Sequence, residues 1–457
     1  MELDWRAIDR WLMGEAWTGS QMKQHLVELC DRIGPRWSSS PAEWRTVNYI
    51  REQMALNGLP QSTLEAYSLQ TWDYRRADAM LVEEARTVDI LPFLRCPPCQ
   101  ITGRLVDVGF GTDHQVTDQR ESLPGAIAIV ALGYEPFTAP VPLPSRLQAL
   151  AAAGAAAAVV VDRKEGGRKE YHSASDWRYP GLNEHPLPTV TVSREEGALL
   201  RSRVGKPLQI VVESRFYEAP SWNVAAELRG HSWPDEHLLL GGHHDTVFGA
   251  PGGNDNGSGV LVVMETARVL AQLQAATGVA PGRTIRFVTF SAEEQKLQGA
   301  EAYVQAHYGA EAPPHLAINL DELATGPIKG IVLAFPHLRK LVQSQLDDMG
   351  DGLQCHVMAQ LDPTSDHFPF LRAGLDGAHL WRWRFVGRRP DADFHHEPGD
   401  TADKVNLREL KEYVGQLARL LLRLSHLPPA AWPVNPMTQE LVGQRLEAER
   451  GQVIRVF

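Results

Sequence analysis

The sequence predicts an α/β protein in which a mixed, largely parallel sheet is flanked by helices and a smaller α/β domain is inserted. Two observations predict this fold class. From residue 236 onward, strand-like and helix-like segments alternate, as in HLLLGGHHD, then SGVLVVMETARVLAQL, then TIRFVTFSAEE. Between residues 100 and 216, a shorter series of strands and helices runs from ITGRLVDVG to LQIVVESRF. Such alternation is typical of parallel sheets that are covered by helices on both faces.

These patterns divide the chain into four segments, which are residues 1–99, 100–216, 217–427 and 428–457. The first is predicted to be the N-terminal part of the main domain, the second the inserted domain, the third the main domain itself and the fourth a tail. The N-terminal part is predicted to be helical, most clearly over residues 41–56, where Trp44, Val47, Ile50 and Met54 recur at helical spacing. A further helix over residues 407–427 is expected to close the main domain.

The net charge of the chain argues against one class of binding partner. The chain has 457 residues and a formal net charge of −11, whereas nucleic-acid binding depends on an excess of lysine and arginine, so we expect no nucleic-acid partner. The first residues lack the basic and apolar regions of a signal peptide, and the longest apolar stretch, residues 149–161, is too short to span a bilayer. We therefore expect a cytoplasmic protein without a membrane partner, and the sequence is compatible with a homo-oligomer.

Residues that can bind metal ions follow the predicted strands of the main domain. His243 and Asp245 come after HLLLGG, and their spacing places both side chains on one side of an extended chain. Asp245 is therefore a candidate to orient the His243 imidazole. Asp255 lies among the small residues of GGNDNGSG, where its carboxylate could give one oxygen to each of two cations.

Further candidates follow the later strands. TIRFVTF leads into Glu293 and Glu294, whose side chains point in different directions, so that one can bind a metal ion and the other can act as a general base. HLAINL ends at Asp321, which offers another oxygen ligand. The loop FHHEPGDT supplies His395 and His396. Five loops that follow strands thus each contribute a suitable residue.

Together these loops predict a site for two metal ions. Two ring nitrogens and three carboxylates, one of them shared, would give each ion three protein ligands and leave room for a water. This ligand set suits zinc, with cobalt or manganese as substitutes. Two such ions, roughly 3.5–4 Å apart, would acidify the water and polarise a substrate carbonyl.

Six stretches, taken together, resemble the zinc peptidases of family M28, which include bacterial aminopeptidases and glutamate carboxypeptidases. They are GGHHDTV, GGNDNGSG, SAEEQKLQGAEAYV, NLDE, SDHFPFLRAG and HHEPGDT, in the order of the family, over about residues 221–427. The resemblance implies a zinc exopeptidase fold and a peptide substrate. It places His243 and Asp321 on one zinc, Glu294 and His396 on the other, Asp255 between them, Glu293 as general base and Asp245 behind the first histidine.

Two positions depart from the family pattern. Members of the family usually have an aromatic residue before the last histidine ligand, where this chain has His395. The distance to the Asp400–Thr401 pair favours His396, and His395 remains the alternative. Similarly, His244 stands where an apolar or aromatic residue is common, and the spacing to Asp245 favours His243.

The inserted segment also resembles a known domain. GAIAIVALG, AAGAAAAVVV and PTVTVSREEG are similar to parts of the protease-associated domain. The resemblance implies either a role in access to the cleft and substrate selection, or a folded insertion without a catalytic residue.

The sequence leaves three functions open. An aminopeptidase, which we favour, needs an anionic group for the substrate ammonium, and Glu322 is a candidate. A carboxypeptidase needs cations for the substrate carboxylate, and Arg382 and Arg384 precede the His396 loop. A binding relative without catalysis should lack ligands or the base, whereas this chain has the full set.

Overall fold

A computed structural model describes residues 3–178, 185–324, 326–382 and 393–452. Its helices are α1 (Trp5–Thr18), α2 (Met22–Leu26), α3 (Pro41–Leu56), α4 (Asp113–Asp118), α5 (Leu143–Ala152), α6 (Arg194–Arg201), α7 (Gly259–Thr277), α8 (Gln298–His307), α9 (Arg339–Met349), α10 (His367–Arg372), α11 (Leu407–His426) and α12 (Gln439–Ala448). Its strands are β1 (Thr63–Leu81), β2 (Arg86–Val88), β3 (Ile90–Pro92), β4 (Cys99–Asp107), β5 (Ile127–Ala131), β6 (Ala157–Val161), β7 (Thr189–Val192), β8 (Pro207–Leu228), β9 (Trp233–His243), β10 (Arg283–Phe290), β11 (Ala317–Asn319), β12 (Ile328–Leu333), β13 (Gln354–Val357) and β14 (Gly377–Arg382).

The strands join in one sheet that runs through both predicted domains. Its order is β13-β12-β14-β11-β9-β10-β8-β4-β5-β6-β7-β3, with β1 paired to β8 and β2 paired to β1. In the main domain β10, β9, β11 and β14 run parallel, whereas β12 is antiparallel to β14. In the inserted domain β4, β5, β6 and β7 run parallel. The predicted mixed, largely parallel sheet is confirmed.

A long antiparallel ribbon links the two halves of the sheet. β1 pairs with β8 from Thr63 opposite Ala225 to Leu81 opposite Leu208. One end of β8 also pairs with β4 of the inserted domain, and the other end pairs with β10 of the main domain. The sequence suggested that one segment ends at residue 216 and another begins at 217, but β8 continues through both positions.

The prediction of helices for the N-terminal part is correct up to residue 56 and wrong for β1. Few positions of β1 are buried, and they do not alternate regularly along the strand. Its side chains therefore lack the period-two pattern by which a strand is recognised. The strand is stabilised instead by its pairing with β8, which is distant in sequence.

Helix α3 has the bounds that the sequence predicts. The Ser40 side chain caps it by accepting a hydrogen bond from the Glu43 amide, and Pro41 occupies the first turn. Val47, Ile50 and Met54 are buried in the main core, whereas Trp44 is exposed over 45% of its surface and lies beside Trp222. The helical period was therefore recognised correctly, but one of its four residues lies outside the core.

The helices of the main domain cover the sheet and place the loops that follow its strands. Helix α7 is buried along most of its length and contacts α11, α1 and the central strands. Helix α11 begins at Leu407, as predicted, and ends one residue before the predicted bound. Among the residues that the structure describes, no helix is long and apolar enough to cross a membrane.

The buried His25 generates a prediction about acid stability. Burial lowers the pKa of His25 to about 4, and the nearby Arg268 guanidinium adds to this effect. Because the unfolded chain protonates this imidazole at higher pH than the folded chain, its contribution to stability is complete above the unfolded pKa and is lost as the pH falls towards 4. The loss attributable to His25 is about 3 kcal/mol.

We expect His25→Gln to lose less stability than the unmodified protein between about pH 7 and about pH 4.5, as measured by urea unfolding. His114→Gln provides the control, since that imidazole is largely exposed. If both variants lost the same stability on acidification as the unmodified protein, His25 would not be acid-sensitive.

Candidate active site

The candidate site lies at the carboxyl ends of the central parallel strands. His243 is the last residue of β9 and is paired with Phe290, the last residue of β10. Asn319, the last residue of β11, is paired with Gly241. The loops after these three strands therefore begin at one edge of the sheet, where ligands of such sheets are expected to bind.

Two glycines allow the chain segments of the site to approach one another. A Cβ atom on Gly242 would lie 2.4 Å from the Leu320 carbonyl oxygen, and a Cβ on Gly259 would lie at the same distance from that oxygen. The close contacts bring the end of β9 and the start of α7 against the end of β11. As a result, Asp255, which precedes α7, and Asp321 both approach the His243 imidazole.

The first group of side chains surrounds His243. Its Nε2 lies 3.2 Å from Asp255 Oδ1 and 3.3 Å from Asp321 Oδ1. Its Nδ1 donates a hydrogen bond to the Asp245 carbonyl oxygen at 3.2 Å and lies 3.4 Å from Asp245 Oδ1. The hydrogen on Nδ1 is thereby fixed, and Nε2 faces the two carboxylates.

The second group surrounds His396. Its Nε2 lies 3.0 Å from Glu294 Oε2 and 3.4 Å from Asp255 Oδ2. Its Nδ1 donates to the Tyr171 carbonyl oxygen at 2.9 Å. Both histidines thus have Nδ1 bonded to a backbone carbonyl and Nε2 directed towards carboxylates.

Asp255 lies between the two groups and directs one carboxylate oxygen to each histidine. The loop that carries it is held by Asp400, whose two carboxylate oxygens accept the amides of Asn254 and Asp255, each at 2.8 Å. The peptide bond between Asp255 and Asn256 is cis. Asp255 is 6% exposed, so its carboxylate interacts with protein groups rather than with bulk water.

The buried carboxylates lack sufficient hydrogen-bond partners. Both carboxylate oxygens of Glu294 are buried without a hydrogen bond, although His396 lies close to one of them. Ligand atoms fall within 4.8 Å of one another in the groups His243–Asp255–Glu294, His243–Glu293–Asp321 and Asp255–His395–His396. Burying carboxylates is unfavourable unless opposite charge is nearby. These imidazoles and carboxylates fit divalent zinc, which takes nitrogen and oxygen ligands.

The close packing of these charged groups shifts their pKa values. Burial raises the pKa of the Glu293 carboxyl well above its usual value, His243 opposes that rise, and Glu294 and Asp321 add to it. Burial also disfavours ionisation of Asp255, but His243 and the two histidines of the last loop hold its pKa well below the usual range. Positive charge inside the site thus determines which carboxylates ionise.

The histidines that the sequence left as alternatives have different surroundings in the structure. His395 stacks on His396 with ring centroids 3.6 Å apart, and its Nδ1 lies 3.0 Å from Asp255 Oδ2 and 3.3 Å from Glu322 Oε1. Of the two, the structure places His396 against Glu294. His244 points away from the groups, with Nδ1 3.1 Å from the Thr289 hydroxyl.

A cavity of about 470 Å³ opens over these groups. Glu322 lines it and accepts a hydrogen bond from Asn254 at 3.2 Å. Arg382 is the last residue of β14, and its side chain lies outside the described part of the structure, as does Arg384 altogether. The inserted domain contributes to the cavity wall with a set of residues that includes Tyr134, Leu143, Ser175, Trp177 and Arg178.

Two features of the site were not predicted from the sequence. Asp362, His367 and His379 also line the cavity, and their ligand atoms lie within 4.8 Å of one another. Asp362 and His367 lie in the polar run DPTSDH before an apolar helix, which is the signal that the sequence offers for this group.

The second missed feature is the buried Arg36. Its guanidinium donates to the carbonyl oxygens of His244 at 2.5 Å, Pro251 at 2.6 Å and Gly252 at 3.1 Å. It therefore ties the loop after β9 to the loop that carries Asp255. Arginine is usually exposed, and nothing in the local sequence GPRW distinguishes this one.

Imidazoles and carboxylates gathered at the strand ends of a mixed α/β sheet define the class of metal-dependent hydrolases. Residues 223–421 of the chain match the model of peptidase family M28. The PA domain model matches residues 101–200, inside the predicted inserted segment. The recognition of the family and of the inserted domain from sequence motifs is confirmed.

Relatives and solved structures cover most of the chain. It is 23% identical to carboxypeptidase Q of Bos taurus over 405 residues, which is 85% of this chain and 81% of the relative. It is 24% identical to aminopeptidase YwaD of Bacillus subtilis over 401 residues, covering 85% and 80%. The structure of a zinc aminopeptidase from Bacillus subtilis superposes with a TM-score of 0.70 at 20% identity over 92% of this chain and 98% of that one. A peptidase M28 precursor from Shewanella amazonensis gives a TM-score of 0.73 at 20% identity, covering 94% and 99%.

The position of Arg36 generates a testable prediction. We expect Arg36→Met to lower the free energy of unfolding by about 3 kcal/mol or more, because it leaves buried carbonyls without donors. Arg32→Met is the matched control, since the Arg32 side chain is 71% exposed and pairs with Glu28 at the surface. Urea unfolding of metal-free protein measures both, and equal effects of the two substitutions would contradict the assigned role.

Proposed function

We propose that this protein is a dinuclear zinc exopeptidase and that it acts as an aminopeptidase. The observation that carries the proposal is the position of Asp255, whose two oxygens face two different histidines. In this proposal one ion is held by His243, Asp255 and Asp321, and the other by Asp255, Glu294 and His396. The match to the M28 family model and the likeness of the fold to that of a zinc aminopeptidase support it.

Zinc ions, when bound, lower the pKa of a water and polarise the substrate carbonyl. The side chain that we assign to proton transfer is Glu293, which lines the cavity and is 4% exposed. It takes a proton from the attacking water and delivers it to the leaving amine. Its backbone amide donates to Asp245 Oδ1 at 3.2 Å, so Asp245 holds both the base and the His243 imidazole in place.

The charge of the cavity favours recognition of a substrate amino group. Its wall includes several carboxylates, which are those of Asp255, Glu293, Glu294, Asp321, Glu322, Asp362 and Asp176. Among the described residues that line it, the one arginine is Arg178, which pairs with Asp176 at 2.6 Å. Two metal ions would neutralise part of this charge, and Glu322, which we assign to no ion, is then placed to bind the substrate ammonium.

Carboxypeptidase action is the second candidate. The match to carboxypeptidase Q over 85% of this chain favours it, and Arg382 ends a strand of the site domain. The two candidates differ in which charged end of the peptide must be free.

Substitution of the proposed base separates proton transfer from metal binding. We expect Glu293→Gln to retain about two zinc ions per chain and to lower turnover by roughly 100-fold or more. Glu294→Gln should lower both metal content and turnover, because that residue is assigned as a ligand. Elemental analysis and peptide hydrolysis measure the two quantities, and near-normal turnover of Glu293→Gln would remove Glu293 from the mechanism.

A peptide screen tests the direction of trimming. We expect peptides with a free amino terminus to be hydrolysed whether or not the carboxyl end is amidated, and N-acetylated peptides to resist hydrolysis by about 100-fold, since they lose the ammonium. Cleavage of N-acetylated peptides together with resistance of amidated ones would establish the carboxypeptidase instead. Absence of hydrolysis with two zinc ions bound would indicate a binding protein.

A further inference from the structure

One loop of the inserted domain contacts the loop that carries His396. We call residues 162–173, which follow β6, the 162–173 loop, and residues 393–400, which carry His395 and His396, the 393–400 loop. The two loops belong to different domains, and they are joined by backbone hydrogen bonds, ion pairs and a cation–π contact.

The backbone contacts fall on His396 itself. Its Nδ1 donates to the Tyr171 carbonyl at 2.9 Å, and the Tyr171 amide donates to the His396 carbonyl at 3.4 Å. The residue that fixes the hydrogen on this imidazole is therefore in the inserted domain. For His243 the equivalent acceptor is Asp245, two residues away in the main domain.

The residue next to His396 is bound by two cations of the inserted domain. The Glu397 carboxylate is 4% exposed. Arg168 donates hydrogen bonds to both oxygens of this carboxylate, from Nε to one and from a terminal nitrogen to the other, each at 2.9 Å. Lys164 donates to the same carboxylate and to Glu170. Bidentate arginine pairs of this kind determine orientation as well as supplying attraction.

Arg168 adds two contacts on the other side of the histidines. It donates to the Asp393 carbonyl oxygen, and its guanidinium carbon lies 4.6 Å from the centroid of the Phe394 ring. The 162–173 loop itself is ordered by Asp162, which accepts the amides of Lys164 at 3.0 Å and Glu170 at 3.1 Å. The cations are therefore presented by a loop with its own internal support.

His396 needs such support because its backbone is in an unfavourable conformation. Its φ is 54°, in the left-handed region, which costs a residue other than glycine roughly 1–3 kcal/mol and persists only when surrounding contacts enforce it. The contacts described here lie on both sides of that residue and come from the inserted domain.

We propose that the inserted domain positions His396, so that one of the two metal ions is bound tightly only while the 162–173 loop is docked against the 393–400 loop. The proposal rests on the proposed function, in which His396 is a ligand. It makes Tyr171, Lys164, Arg168 and Glu397 positioning residues, and it assigns the inserted domain a role in completing the metal site as well as in lining the cavity.

The test is the affinity of each zinc ion in the full-length protein, measured by competition with a chromogenic chelator. Two variants weaken the contact, namely Arg168→Met and the double variant Lys164→Met with Glu397→Gln, which removes the two charges of the Lys164–Glu397 pair together. Glu165→Gln is the control, because Glu165 lies in the same loop but is 77% exposed and pairs with Arg194 at the surface. Glu294→Gln identifies which ion belongs to His396.

We expect both variants to weaken the ion that Glu294→Gln removes by about 10- to 100-fold and to change the other by less than about threefold. The control should bind both ions as the unmodified protein does. Unchanged affinities in both variants would overturn the proposal. Equal loss of both ions, with a lower unfolding temperature of the metal-free protein, would also overturn it, since that pattern indicates general loss of structure. An unmodified protein that binds fewer than two ions would refute the proposed function itself, before any variant is compared.

Discussion

The structure depends on one electrostatic constraint, which is that several carboxylates are buried together at the edge of a sheet. Asp255, Glu293 and Glu294 are each at most 6% exposed, and Asp321 lies beside them. Mutual repulsion and desolvation oppose such a group unless cations are bound within it. The glycines that let strands and helix approach, the carbonyls that orient the histidines and the buried Arg36 all serve to hold this group together.

The same constraint explains why residues of the inserted domain, as well as those of the main domain, hold the site in place. A histidine in a loop is held less firmly than one at the end of a strand. His396 lies in a loop, whereas His243 ends β9. Its acceptor comes from Tyr171, in the segment that the PA domain model matches. The two domains therefore meet at His396 as well as at the cavity wall.

Much of the candidate site could be predicted from the sequence, for identifiable physical reasons. His243 ends a buried strand, and Asp255, Glu293, Glu294 and Asp321 lie in the loops after buried strands. Because parallel strands of one sheet end at a common edge, local patterns were enough to bring these residues together. β1 could not be predicted in this way, because its pairing partner is more than a hundred residues distant and its faces lack alternation. Arg36 and the contact of Tyr171 with His396 are likewise tertiary, and no local pattern records which carbonyl a distant side chain will reach.

The continuous ribbon of β1 and β8 has a mechanical consequence. A domain attached by flexible linkers can swing open and shut, but here the chain enters and leaves the insertion through two strands hydrogen-bonded to each other over nearly their whole length. Reorientation of the insertion would require bending a twisted ribbon and breaking ladder hydrogen bonds. The cavity beside Asp255 and His396 is therefore lined by two domains whose relative position is constrained by a hydrogen-bonded ribbon rather than by a flexible linker.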